Sequence, residues 1–129
     1  MGMFIMVVMD VFAIFAALIT YKNAAFMKWY QYIACFFAGL FIANMVPHFI
    51  HGVSGDVFPT PFSTPAGKGP SSPTINVFWG LLNLVIGYLL MRAGKVSNQK
   101  PISIIVFFLG IVLMSWMLSV AFMEKQMQF

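Results

Sequence analysis

The chain has 129 residues, of which 61% are hydrophobic and 8% are charged, with a formal net charge of +4. Soluble domains carry about a quarter charged residues, so these few charges cannot cover a water-exposed surface. The basic residues are scattered along the chain rather than gathered in one patch, which excludes a nucleic-acid-binding surface.

Four predicted transmembrane helices follow one another along a single domain of residues 1–129. The long apolar blocks place them at about residues 3–21, 29–51, 75–92 and 102–123. Each block must be helical, because lipid offers no partner to an unpaired backbone polar group. The short connections 22–28 and 93–101 force neighbouring helices to run antiparallel, so the prediction is an all-α, up-down-up-down four-helix bundle.

The distribution of basic residues predicts how the helices are oriented. The side that holds the two short connections carries Lys22, Lys28, Arg92, Lys95 and Lys100, and the opposite side carries only Lys68 and Lys125. Basic residues concentrate on the cytoplasmic side of membrane proteins. We therefore expect loops 22–28 and 93–101 in the cytoplasm, with both termini and loop 52–74 outside.

The connection between the second and third helices, residues 52–74, is long and rich in proline and glycine. It holds five of the seven prolines, and its segment FPTPF carries two phenylalanines. A loop of this length in a compact protein is usually either functional or disordered. We expect an ordered outer cap resting on the helix ends, with a flexible linker as the alternative.

The polar residues within the predicted helices lie at similar depths. At about 1.5 Å per residue, four of them fall about 10–12 Å from the outer ends of their helices. These four are Asp10, Asn44, Asn83 and Ser115, and His48, His51, Asn76 and Ser119 lie closer to the outer surface. Because polar side chains in lipid seek partners inside a bundle, we expect all eight to line an outward-facing ligand-binding pocket. The alternative is that they only hydrogen-bond the helices together.

The ionisable residues Asp10, His48 and His51 give the most specific functional hypotheses. An ionisable residue inside a transmembrane helix, such as Asp10, indicates a functional site by default, with a structural interhelical hydrogen bond as the alternative. His48 and His51 lie three residues apart and can reach one ligand. A metal with Asp10 or Asp56 as a third ligand is possible in principle, but two histidines are a weak zinc signal and we do not favour it. The cofactor stays unknown.

Three segments, PHFIHGVSG, FPTPF and SSPTINVFWGLLN, resemble a group of small bacterial four-span membrane proteins that are uncharacterised. The resemblance begins at residue 47 and covers roughly a third of the chain. It implies a multi-pass protein of the bacterial inner (cytoplasmic) membrane. It implies no activity, cofactor or catalytic residue.

The leading functional hypothesis is a small membrane protein whose pocket binds or transports a small polar or amphiphilic ligand, with proton coupling through Asp10 and His48. One alternative is a non-catalytic accessory or assembly subunit of a larger membrane complex. The other is a membrane enzyme acting on a lipid or a quinone. The sequence carries no nucleophile elbow and no phosphate-binding loop, which favours a non-enzyme. The expected partners are the lipid bilayer and either further copies of the chain or other membrane subunits.

Overall fold

The computed structural model describes residues 2–19 and 26–126. It contains the helices α1 (Gly2–Ile19), α2 (Trp29–Ser54), α3 (Pro73–Ala93) and α4 (Pro101–Gln126). No strand occurs in these residues, so the all-α prediction is confirmed for them. Helices α2, α3 and α4 are long and apolar enough to cross a membrane, whereas α1 contributes a shorter apolar segment, Ile5–Ile14. The predicted end of the first span at residue 21 and the start of connection 22–28 lie outside the described residues.

Local sequence signals explain where the long helices begin and end. At the start of α2, the Gln31 side chain accepts a hydrogen bond from the backbone N–H of Lys28 (3.0 Å). Gly55 ends the helix in the left-handed region with φ of 79°, which glycine adopts without steric cost. At the start of α3, the Ser72 hydroxyl accepts from the backbone N–H of Ile75 (3.3 Å). Pro73 follows Ser72 in the first turn, where its missing N–H costs nothing.

The helices form a row rather than a closed bundle. Helix α2 packs against α3 on one side and against α4 on the other, and α1 contacts α4. Among the described residues α3 and α4 barely touch each other. The predicted four-helix up-down-up-down bundle is therefore not confirmed, because α1 does not close the gap between α3 and α4.

Glycines set the two close helix contacts. Along the α2–α3 contact, a Cβ on either of two α3 glycines, or on Gly94 directly after the helix, would meet α2, in the pairs Gly80–Phe49, Gly87–Ile42 and Gly94–Cys35. Between α2 and α4, a Cβ on Gly39 would overlap the carbonyl oxygen of Phe107, and one on Gly110 that of Phe36. Such small residues let helix backbones approach closely in a membrane.

Residues 55–72 fold into a cap over the ends of α2 and α3. Phe58 and Ser71 exchange two backbone hydrogen bonds of 3.2 Å each, which close the loop at its base. Above this pair, the hydroxyls of Thr60 and Ser71 lie 2.6 Å apart, and the backbone N–H of Gly67 donates to the Thr60 carbonyl (2.9 Å). The cap is thus an ordered, hydrogen-bonded segment.

Candidate functional site

Asn76 joins the cap to the helices. Its side chain is fully buried, and its Nδ2 donates to the carbonyl oxygens of Phe58 (2.9 Å), Ser72 (3.1 Å) and Ser71 (3.3 Å). Because carbonyl oxygens only accept hydrogen bonds, the amide nitrogen must face them. The Asn76 Oδ1 therefore faces α2, where it lies 2.9 Å from Nδ1 of His48.

This contact fixes the hydrogen-bonding role of His48. Since Asn76 Oδ1 can only accept, Nδ1 of His48 carries the proton and donates. In the neutral ring, Nε2 is then a lone-pair acceptor. The His48 side chain is only 4% exposed, and no hydrogen bond to Nε2 occurs in the described part of the chain. His48 therefore presents an unused acceptor from a fixed, buried ring.

A second chain of hydrogen bonds, which we call the Asn83–Asn44 relay, lies one helical turn further from the cap. It also ends in an acceptor that no described residue uses. Asn83 Nδ2 donates to the backbone carbonyl of Trp79 (2.7 Å), so its Oδ1 faces Asn44. Asn44 Nδ2 donates to that oxygen (3.0 Å). The remaining oxygen, Asn44 Oδ1, has no hydrogen bond to any described residue. The relay thus leaves a second unused acceptor, one helical turn from His48 on the same face of α2.

Both residues line a small pocket beneath the cap, which we call the cap pocket. Its volume is about 170 Å³. Helices α2, α3 and α4 and the cap all contribute to its lining. The lining residues are Asn44, His48, Pro59, Thr60, Pro61, Gly67, Trp79, Leu118 and Phe122. No charged side chain lies among these residues. The pocket therefore offers hydrogen-bond acceptors to a ligand without offering a countercharge.

His51 lies on another side of the cap and belongs to a different opening. Its ring stacks on Phe58, with centroids 4.2 Å apart and planes at 12°. Its Nδ1 lies 3.5 Å from Asp56 Oδ2, beyond the usual range for a hydrogen bond, and this buried nitrogen has no hydrogen-bond partner among the described residues. His51 therefore contacts neither Asn76 nor the acceptors of the cap pocket.

The opening that His51 lines is an apolar groove between α2 and α4. We call it the α2–α4 groove, and its volume is about 580 Å³. Ser115 and Ser119 of α4 line it together with apolar side chains of both helices. Ser119 is already engaged, because its hydroxyl donates to the Trp116 carbonyl (2.7 Å). Leu118 and Phe122 line both this groove and the cap pocket, so the two spaces adjoin.

The eight predicted site residues therefore separate into three groups. Asn44, His48, Asn76 and Asn83 come together where α2, α3 and the cap meet, whereas His51, Ser115 and Ser119 line the α2–α4 groove. Asp10 is exposed on α1, and within residues 2–19 and 26–126 no hydrogen bond joins it to the others. The expectation of a single pocket shared by all four helices needs correction. The physical reason is that, among the described residues, α1 packs mainly on α4.

Sequence reasoning also missed contributors to the cap pocket. Trp79 was not among the eight predicted residues, yet it lines the pocket, and its buried Nε1 has no hydrogen-bond partner among the described residues. Its spacing from Asn76 and Asn83, three residues after one and four before the other, is the signal that places it on the same face of α3. Thr60 and Phe122 carried no such signal, because the cap and α4 reach the pocket only through the fold.

The arrangement of ionisable side chains bears on the metal hypothesis. Within the described residues, no group of three or more His, Cys, Asp or Glu side chains lies close enough to hold a metal ion. His48 and His51 are three residues apart but engage different partners, Asn76 in one case and Phe58 with Asp56 in the other. The geometry thus gives the two histidines separate roles.

The three long apolar helices define the class of the protein, which is a helical membrane protein. No protein family, curated protein or solved structure matches the chain.

Proposed function

We propose that the protein binds a small polar or amphiphilic ligand in the cap pocket. The observation that carries this proposal is the pair of unused acceptors, Nε2 of His48 and Oδ1 of Asn44, in one pocket. Neither atom has a hydrogen bond to a described residue, so a ligand can pair with it without breaking a bond within the protein. A ligand that donates hydrogen bonds would satisfy both acceptors.

The chemistry of the pocket restricts the ligand further. The two acceptors and the unpartnered Nε1 donor of Trp79 favour a hydroxyl group, which both donates and accepts, over an ammonium group, which only donates. An anionic group finds no Lys or Arg among the lining residues. The volume of about 170 Å³ compares with about 30 Å³ per water molecule in the liquid, so a head group of only a few heavy atoms fits.

The neighbouring α2–α4 groove supports an amphiphilic ligand. Its lining is mostly apolar, and it adjoins the cap pocket at Leu118 and Phe122. A polar head under the cap and an apolar tail in the groove would each meet a matching surface. Binding is the part of this proposal that the geometry supports best, and transport or proton coupling would be later steps at the same site.

The test compares ligand retention between matched variants. We expect lipids and small molecules that co-purify with the wild-type protein in mild detergent to include one that is lost at least tenfold in His48→Phe and in Asn44→Leu. His51→Phe is the control, because it keeps an aromatic ring against Phe58 and leaves both acceptors in place. Mass spectrometry of the bound material and thermal unfolding of each variant are measured together. Equal retention in all four proteins at equal stability would refute the pocket.

The same purification separates the alternative functions. A stoichiometric second protein in the wild-type preparation would favour an accessory or assembly subunit. Chemical conversion of a bound lipid or quinone would favour an enzyme. We place the protein in the bacterial inner membrane as part of the same proposal, with the cap outside. The support for this placement is the excess of basic residues at the opposite side.

A further inference from the structure

The carboxyl group of Asp10 has no hydrogen-bond or ion-pair partner among the described residues. Asp10 is exposed on α1, and the flanking side chains Met6, Val7, Met9 and Val11 are also exposed and apolar. An ionisable side chain facing hydrocarbon is costly unless it is neutral or paired, and such residues almost always face another helix or a water-filled cavity. Within the part of the chain that the structure describes, α4 is the main neighbour of α1. The carboxyl group therefore requires a partner from elsewhere.

The face of α2 below the cap pocket is equally uncovered. Tyr30, Ile33 and Phe37 are about half exposed there, and a depression of about 400 Å³ runs along this face beside Leu90 of α3. We call it the bare face of α2. Its lining reaches Phe41, which lies one turn before Asn44 of the cap pocket, so the two spaces follow one another along α2. A closed four-helix bundle would place a helix here, and in this chain α1 lies against α4 instead.

Asp10 lies at the same depth as His48 and Asn44 if α1 runs antiparallel to α2. Asp10 lies eight residues after the start of α1 at Gly2, which is about 12 Å along the helix. His48 and Asn44 lie six and ten residues before the end of α2 at Ser54, or about 9 and 15 Å. With these helix ends level, the carboxyl group falls between the two unused acceptors.

We propose that α1 of a second copy of the chain covers the bare face of α2 and inserts Asp10 between His48 and Asn44. A neutral carboxyl group donates one hydrogen bond, which His48 Nε2 or Asn44 Oδ1 accepts, so that in the dimer the ligand pairs with the other acceptor. The arrangement is reciprocal, so two copies form a closed dimer with two identical contacts. A second copy is the fitting occupant because α1 then keeps its contact with its own α4. The inference extends the proposed binding function, since Asp10 of the partner completes the same pocket.

Disulfide cross-linking between two differently tagged chains tests the contact. Both chains carry Cys35→Ser, one carries Ala13→Cys and the other Phe41→Cys. These positions lie one turn inward from Asp10 and Asn44, so the proposed hydrogen bonds stay intact. Oxidation in native membranes is expected to give a cross-linked heterodimer. The control replaces Ala13→Cys by Phe12→Cys, which lies on another face of α1, and at least fivefold less product is expected.

The outcomes that overturn the inference are distinct from those that overturn ligand binding. Absence of cross-linking, equal cross-linking from Phe12→Cys, or a purely intrachain disulfide when both cysteines are in one chain refutes the dimer. Asp10→Asn retains a donor and should preserve the cross-link, whereas Asp10→Leu should reduce it at least fivefold. Equal yields from these two variants would refute the role of Asp10. If the dimer fails while ligand retention still depends on His48 and Asn44, the ligand site stands alone.

Discussion

Oδ1 of Asn76 lies 2.9 Å from Nδ1 of His48, and this hydrogen bond joins α3 to α2 directly beneath the cap. The same asparagine holds three carbonyl oxygens at the base of the cap and the start of α3 through its Nδ2. One amide group therefore determines both where the cap rests and which nitrogen of His48 carries the proton. The position of the cap and the protonation pattern of His48 in the cap pocket therefore both depend on Asn76.

Asn76→Leu is expected to destabilise the protein by about 1–3 kcal/mol, because it leaves the buried His48 Nδ1 without an acceptor and removes the side-chain donor shared by the carbonyl oxygens at the base of the cap. The cap should also loosen, and trypsin should cut after the exposed Lys68 at least tenfold faster. Detergent-solubilised protein is suitable for both unfolding and proteolysis measurements. Asn98→Leu, at an exposed position in the α3–α4 connection, is the control. Wild-type stability and cleavage rates in Asn76→Leu would contradict the anchoring role.

Gly39→Ala is expected to separate α2 from α4, because the added Cβ overlaps the carbonyl oxygen of Phe107. Overpacking of this kind costs about 1–3 kcal/mol, and a backbone oxygen has little freedom to move away. Unfolding of the purified protein in mixed detergent micelles measures the change. Gly2→Ala is the matched control, since nothing lies within 4 Å of a Cβ at that position. A Gly39→Ala protein as stable as Gly2→Ala would show that the helices are not in such close contact.

The hydrogen bond from Asn44 to Asn83 is expected to couple the two residues by about 0.6 kcal/mol, the average for side-chain hydrogen bonds between membrane helices. A double-mutant cycle with Asn44→Ala and Asn83→Ala measures this coupling from four unfolding free energies. Asn44→Ala combined with Ser103→Ala is the control cycle, since Ser103 hydrogen-bonds at the opposite end of the molecule. Additive effects in the first cycle would mean that the relay does not form in the membrane.

Cysteine labelling is expected to place the cap outside the cell. In a Cys35→Ser background, Lys68→Cys in the cap should react with a membrane-impermeant maleimide in intact cells. Asn98→Cys in the α3–α4 connection should react only after permeabilisation. Both residues are exposed, and they lie at opposite ends of the α2–α3 pair, so accessibility reports sidedness. The reverse labelling pattern would overturn the orientation inferred from the basic residues.

The sequence predicted individual helices and faces well. Asn44 and His48, four residues apart, lie on one face of α2, and both line the cap pocket. The seven-residue spacing of Gly80 and Gly87 likewise corresponds to the α3 surface that meets α2. Such features depend only on helical periodicity, which the sequence displays directly.

The role of Asn76 was not predictable in this way. It was expected to line the pocket, but its amide group is fully engaged by backbone carbonyls of residues 58, 71 and 72 and by His48. Backbone groups have no signature in the sequence, so only the folded cap reveals that they converge on one side chain.

The sequence alone determined that this is an all-α membrane protein with long apolar helices, because few charges and long apolar blocks leave no other way to satisfy the backbone in lipid. Only the tertiary structure decided that the helices form a row and that Asp10 lies apart from His48. The reason is that apolar side chains gain little by exchanging lipid for another helix. Which helices pair therefore depends on close backbone approach at glycines and on a few hydrogen bonds, which exist only once the chain has folded.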